Sequence, residues 1–323
     1  MKKLFLSLFF AVLATTGLYA QQISVVSSGG ATSLYRTLQE AIEGADSGSV
    51  IYLPGGTFPI NGDYDITKKL TIIGIGHNSY SEENVDGCTV INGNLRFAND
   101  TNGSSVMGCY ITGGVLIGAS NATVNDFLLK HCNIGELHVH ASCMGTVINQ
   151  NYIRTGSYIN GSSDIVFAYN ICGAINDISG GSINNNIIVH GLSPFYNINN
   201  TIVKDNIIIC TGNETATYAS FDNNQVSGNI RKIDWSADPN LIKIDDEWTD
   251  VFVNFNGGAI SPVSDFHFKE AYKQYENQAG VYAGGADFDK QLAPVPYIVA
   301  KRVDTETDAS GKLNVKIRVK AGQ

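Results

Sequence analysis

The chain has 323 residues, of which 16% are charged, with six cysteines and a formal net charge of −9. Loss of the first twenty residues would remove Lys2 and Lys3 and bring the charge to −11. A surface this acidic repels polyphosphates, which argues against nucleic acid or an anionic membrane as a partner and weakens, without excluding, the case for an acidic polysaccharide.

The first element, "MKKLFLSLFFAVLATTGLYA", has two lysines, an apolar run and small residues ending at Ala20, the layout of a secretory signal peptide. Its run is too short for a membrane span, and no later segment approaches the roughly 20 apolar residues a span needs. The mature chain is therefore expected to be secreted, periplasmic or at the cell surface. Next, "SLYRTLQEAIEGADSGSVIYLPGGTF" (33–58) places Leu34, Leu38, Ala41, Ile42 and Ala45 at helical spacing, then breaks at Gly48 into a strand. An amphipathic helix there predicts a cap over an otherwise open first coil.

Beyond residue 104 a pattern recurs: an apolar residue, two variable ones, then Asn, Cys or Tyr, then one residue and Ile. Its fourth positions are Cys109, Cys132, Asn151, Tyr169, Asn186, Asn206 and Asn229, spaced 17 to 23 residues apart. A period near twenty, rich in β-branched residues and in Asn, Gly and Ser turns, predicts an all-β solenoid. Each coil would pair its strands with those of the next coil at about 4.8 Å, stacking Val and Ile inward. An inward Asn at each bend would satisfy bend amides that are otherwise buried without partners. The cysteines neighbour apolar repeat positions, which favours buried thiols over disulfides. After Pro294 and Pro296, "YIVAKRVDTETDASGKLNVKIRVKA" (297–321) alternates on both sides of "DASGK", a β-hairpin with one wet and one dry face.

The segments "TLQEAIEGADSGSVIYLPGGTF" and "ITKKLTIIGIG" (66–76) resemble the opening of right-handed parallel β-helix proteins of the pectin-lyase-like superfamily. "DPNL" (238–241), "SDFHFK" (264–269) and "AGVYAGG" (279–285) resemble the close of its exported bacterial members. The resemblance implies a right-handed parallel β-helix over 21–297 with an N-terminal helix cap, followed by a β-hairpin tail over 298–323. It specifies an activity poorly, because the superfamily includes lyases, hydrolases, epimerases and adhesins. It also implies a saccharide groove on the outer face of one parallel sheet.

Coil alignment makes Ile117, Val139, Ile159, Ile178, Ile198 and Phe221 inward. Strand alternation then turns their neighbours outward. The outward pairs are Leu116/Gly118, His138/His140, Tyr158/Asn160, Asp177/Ser179, Asn197/Asn199 and Ser220/Asp222. An aromatic ring can stack on pyranose C–H faces while amides bond hydroxyls, so this stripe suits sugar. Glu136, Arg154, Lys130 and His190 lie at its expected margin.

Glu136, His138 and His140 share a strand face, yet their Cα atoms span roughly 13 Å, too far to converge on one metal. No cofactor is expected, and nothing supports calcium. Asp177 and Asp222 sit two coils apart, without the paired carboxylates at about 5–10 Å that glycoside hydrolysis requires. Elimination is the stronger enzymatic option, with His138 or His140 as base, Tyr158 as acid and Arg154 neutralising a uronate. Expected substrate-binding residues are Asn160, Asp177, Asn197 and Glu136. The expectation is a monomer that recognises a polysaccharide and cleaves it if it is an enzyme; the alternative is a non-catalytic adhesion or scaffold solenoid.

Overall fold

The computed structural model describes residues 22–62, 64–77, 87–212, 220–261, 264–286 and 288, Lys312, and the strands Tyr297–Val303 and Val315–Lys320. The signal-peptide segment, Pro294, Pro296 and the turn at 308–311 lie outside the described residues.

The chain is all-β and winds into a parallel solenoid of about 8 turns with three strand-bearing faces. The first face stacks Ser49–Tyr52, Leu70–Ile73, Ser105–Met107, Leu128–Lys130, Val147–Asn149 and Ile165–Ala168, then 181–184, 201–204 and Gln225–Ser227. Its inward register runs Ile51, Ile72, Val106, Leu129, Ile148, Phe167, Ile183, Val203 and Val226, all buried. The second face stacks Ile91, Ile111, Ile134, Ile153, Cys172 and Ile188 inward in the same way. On the third face Phe97, Ile117 and Val139 stack, and Ile178 pairs with Ile198. These columns join one hydrophobic core, as period-2 alternation in stacked strands requires.

The corner between the first and second faces carries the inward polar residue of each coil. His131, Gln150, Tyr169, Asn185 and Asp205 all adopt left-handed φ of 51–56° there, which aims the following residue inward. Those following residues, Cys132, Asn151, Asn170, Asn186 and Asn206, are fully buried. The ladder position in the third of these coils is Asn170, not Tyr169: the bend residue stands outside the core and tolerates a large side chain, while the inward one is an amide that joins the ladder. Asn151 donates both its backbone N–H (2.9 Å) and Nδ2 (3.0 Å) to Asn170 Oδ1. The same double bond recurs from Asn170 to Asn186, Asn186 to Asn206 and Asn206 to Asn229. Asp238 ends the series, its Oδ2 accepting from Asn229 N and Nδ2 at 2.8 Å each and its Oδ1 from Gly228 N at 3.1 Å. At the other end Cys109 and Cys132 replace the amides; all six cysteines are free thiols, and burial pushes Cys132 up to about 12.

The expected amphipathic helix is α1, Leu38–Gly44, opened by a capping box between Thr37 and Glu40. Leu38, Ala41 and Ile42 bury their side chains in the core. Leu34 departs from the helical reading: it lies in the strand Thr32–Tyr35, pairs antiparallel with Ser24, and is 59% exposed.

The described residues between 244 and 288 cover the outside of the second face. There Tyr152, Ile171, Ile187, Ile207 and Ile230 stand outward in register, and Val189 and Ile209 pair alongside. All are buried in a second core with Trp248, Val251, Phe252, Phe255, Phe266, Phe268, Val281 and Tyr282. Gly280 makes the closest approach: its φ is 79°, and a Cβ there would lie 2.5 Å from Ile207 Cδ1. Its N–H donates to Asp205 O at 2.9 Å. Farther on, Tyr297–Val303 and Val315–Lys320 pair antiparallel.

Candidate functional site

Among the described residues the third face has no such cover, and its outward register runs Asp65, Arg96, Leu116, His138, Tyr158, Asn176, Tyr196. Parallel in-register pairing brings neighbouring side chains of one column to about 4.8 Å. Accordingly the His138 and Tyr158 rings stack with centroids 4.9 Å apart and planes 17° apart. Glu136 Oε1 lies 3.3 Å from His138 Nε2. Tyr158 is 40% exposed and Tyr196, two coils above, 46%.

His140 follows the strand Leu137–Val139 and sits in the turn, where its Nδ1 pairs with Ser142 Oγ at 3.0 Å. It is half-buried and on the margin of the column.

Asn160, Asp177 and Asn197 come together beside Tyr158. With Gly161, Ile178, Ser179 and Asn199 they line an open depression of about 500 Å³. Asn197 Nδ2 donates to Asp177 Oδ1 at 2.8 Å. All three residues have left-handed backbones, with φ of 48°, 61° and 52°. Asn and Asp tolerate that region, so these types are what the bend admits as well as what a hydroxylated ligand wants.

The bend at Asp177 also shifts the outward column. Tyr158 pairs with Asn176, and Asn176 with Tyr196, whereas alternation counted from Ile178 points to Asp177. The left-handed residue breaks the alternation and rotates Asn176 into the column. Asn176, Tyr196 and Arg96 are thus column members that the sequence reading does not name. The signal for the first two is an Asn-Asp-Ile and a Tyr-Asn-Ile run, where the residue before Ile is a bend-former.

Arg154 stands apart. It lies where the strand Tyr152–Tyr158 turns from the second face to the third. Its Nη1 donates to Asn133 Oδ1 at 2.5 Å, and Nη2 to the carbonyls of Ile111 (3.1 Å) and Thr112 (2.8 Å). The guanidinium also covers the Tyr110 ring at 4.9 Å. It staples three coils together. Lys130 points from the first face, between Met107 and Asn149. His190 ends a second-face strand; burial holds it below the usual imidazole range, and its Nδ1 accepts from Ser193 N at 3.2 Å.

Among the described residues no three His, Cys, Asp or Glu side chains are grouped to hold a metal ion. No helix among them is long and apolar enough to cross a membrane. The site therefore offers stacked and single aromatic faces, amides, a carboxylate and an imidazole on one open sheet. Comparison with protein-family models, curated proteins and solved structures finds no match to this chain.

Proposed function

We propose that the protein is exported and recognises a polysaccharide along the third face of its solenoid. The observation that carries this reading is the exposed His138–Tyr158 stack in register with Tyr196, beside the depression of Asn160, Asp177 and Asn197. Rings supply flat apolar faces for pyranose C–H groups, and amides and carboxylate supply directional partners for hydroxyls. The sequence resemblance to pectin-lyase-like β-helices supports the same reading. In it the coil is right-handed, α1 closes its start, the strand pair from 297 to 320 forms a tail, and the molecule acts as a monomer. Elimination with His138 as base and Tyr158 as acid would further need a free cation to neutralise a uronate carboxylate. Arg154 is already committed to Asn133 and two carbonyls, which is why recognition, rather than turnover, is the proposal.

The test is binding of residues 21–323 to a broad glycan array, beside the double variant His138→Ala, His140→Ala, with product release assayed on every hit. Loss of binding with an intact melting curve supports the reading. No binding by the parent contradicts it and favours an adhesion or scaffold role, for which the exposed aliphatics of the first face, Val166 at 40% and Ile202 at 44%, would be the contact.

A further inference from the structure

Among the described residues the third face is short of available cations. Between residues 87 and 212 the chain has four Lys or Arg: Arg96, Lys130, Arg154 and Lys204. Lys130 and Lys204 belong to first-face strands, in register with Asn149 and Ser227. Arg154 spends its guanidinium on Asn133, two backbone carbonyls and the Tyr110 ring. Arg96 alone stands in the outward column, and its Nε is 2.6 Å from Asp65 Oδ1. Asp65 is in turn fixed by Ser120, whose hydroxyl donates to Oδ2 at 2.6 Å.

Anionic groups are plentiful by contrast. Glu136 is exposed beside His138, Asp177 lies in the depression, and Asp126, Asp164 and Asp222 are exposed in the turns that leave this face. A uronate, sulfate or phosphate laid along the column would meet these carboxylates without a cation to pair with. Desolvating an anion with no counter-charge costs more than sugar hydroxyl contacts return. An uncharged chain meets no such cost: Asn160, Asn176 and Asn197 each offer a donor and an acceptor, and Asp177 accepts.

We propose that the third-face site takes an uncharged saccharide chain and discriminates against uronate, sulfated and phosphorylated ones. This rests on the saccharide reading above. The column sets the direction of the chain: Tyr158 and Tyr196 lie two coils apart, roughly 10 Å at strand spacing, so successive rings would run across the strands.

The experiment measures binding of two probe sets by calorimetry at low and high salt. The neutral set is cello-, xylo- and manno-oligosaccharides; the anionic set is oligogalacturonate, alginate oligomers and a sulfated glycosaminoglycan fragment. The expected result is a neutral ligand whose affinity changes less than about two-fold with salt, and a loss of about ten-fold or more in Tyr158→Ala. The Tyr196→Ala variant, changed at a second exposed ring, should lose affinity for the same ligand. Preference for an anionic probe, weakening with salt, would overturn the charge inference while leaving saccharide recognition standing. Failure to bind either set overturns both.

Discussion

The second and third faces of the solenoid come from the same coils, a few residues apart in each, yet one is sealed and the other open. On the second face the outward column is Ile171, Ile187, Ile207 and Ile230, roofed by Trp248, Phe252, Phe266 and Val281. On the third it is His138, Tyr158, Asn176 and Tyr196, roofed by nothing among the described residues. Backbone pairing is the same in both, so the strands themselves carry no function. The outward residue alone decides whether a face is sealed or left open.

The largest expected effect breaks or confirms that division. Ile207→Ala should destabilise the fold by about 2–4 kcal/mol, because it opens a cavity under Gly280 and the aromatic cover. Tyr158→Ala, on an exposed column, should change stability by no more than about 0.5 kcal/mol. Denaturant midpoints measure both, and equal losses would erase the distinction between the faces.

A comparable loss is expected at the corner ladder. Asn186→Leu removes the Oδ1 that takes two bonds from Asn170 and the Nδ2 that reaches Phe167 O at 2.9 Å. Leaving these buried partners unsatisfied should cost about 2–3 kcal/mol in a denaturant titration.

A smaller, pH-dependent effect is expected in the cover. Glu276 is partly buried, which raises its pKa, but Lys273, His267 and the Phe268 N–H outweigh this and lower it. A depressed folded pKa means that the stabilisation is present above the unfolded value of 4.5 and is lost as pH falls through the lower folded one. Amide protection factors over 265–282 should therefore fall below pH 4.5 ahead of those of the strands Leu137–Val139 and Tyr152–Tyr158, and Glu276→Gln should flatten that dependence.

The smallest effect probes the core that both faces share. Cys109, Cys132 and Cys172 are buried with their thiol pKa values raised by desolvation, whereas Cys88 and Cys210 are half-buried. Native labelling should reach Cys88 and Cys210 first, with these three buried thiols, and Cys143 likewise buried in the core, reacting only on unfolding.

The inward columns were legible in the sequence because alternation and a near-constant coil length are properties of the chain itself. Ile117, Val139, Ile159, Ile178 and Ile198 are all buried where alternation puts them. The ladder slipped by one at Tyr169 because bend and ladder positions both accept polar or aromatic residues, and only the left-handed φ tells them apart. Leu34 fitted a helical stripe by spacing, but pairing with Ser24 competes with helix formation and wins. The cover on the second face was hinted at by the runs "NIIVH" and "NIIIC". Consecutive apolar residues in a strand mean burial on both sides, but the runs do not name what lies over them. Of the outward column, His138 and Tyr158 followed from alternation, while Asn176 and Tyr196 depended on a bend at Asp177 that only register reveals.

The first face also carries exposed side chains, and the most direct test sets it against the third. Binding of the array-selected glycan should be compared in Tyr158→Ala with Tyr196→Ala on the third face and in Val166→Ala with Ile202→Ala on the first, where exposure is matched at 40–46%. Recognition by the third face predicts binding lost in the first pair and kept in the second, with both melting curves unchanged. Binding kept in the tyrosine pair and lost in the aliphatic pair would contradict it and move the site to the first face.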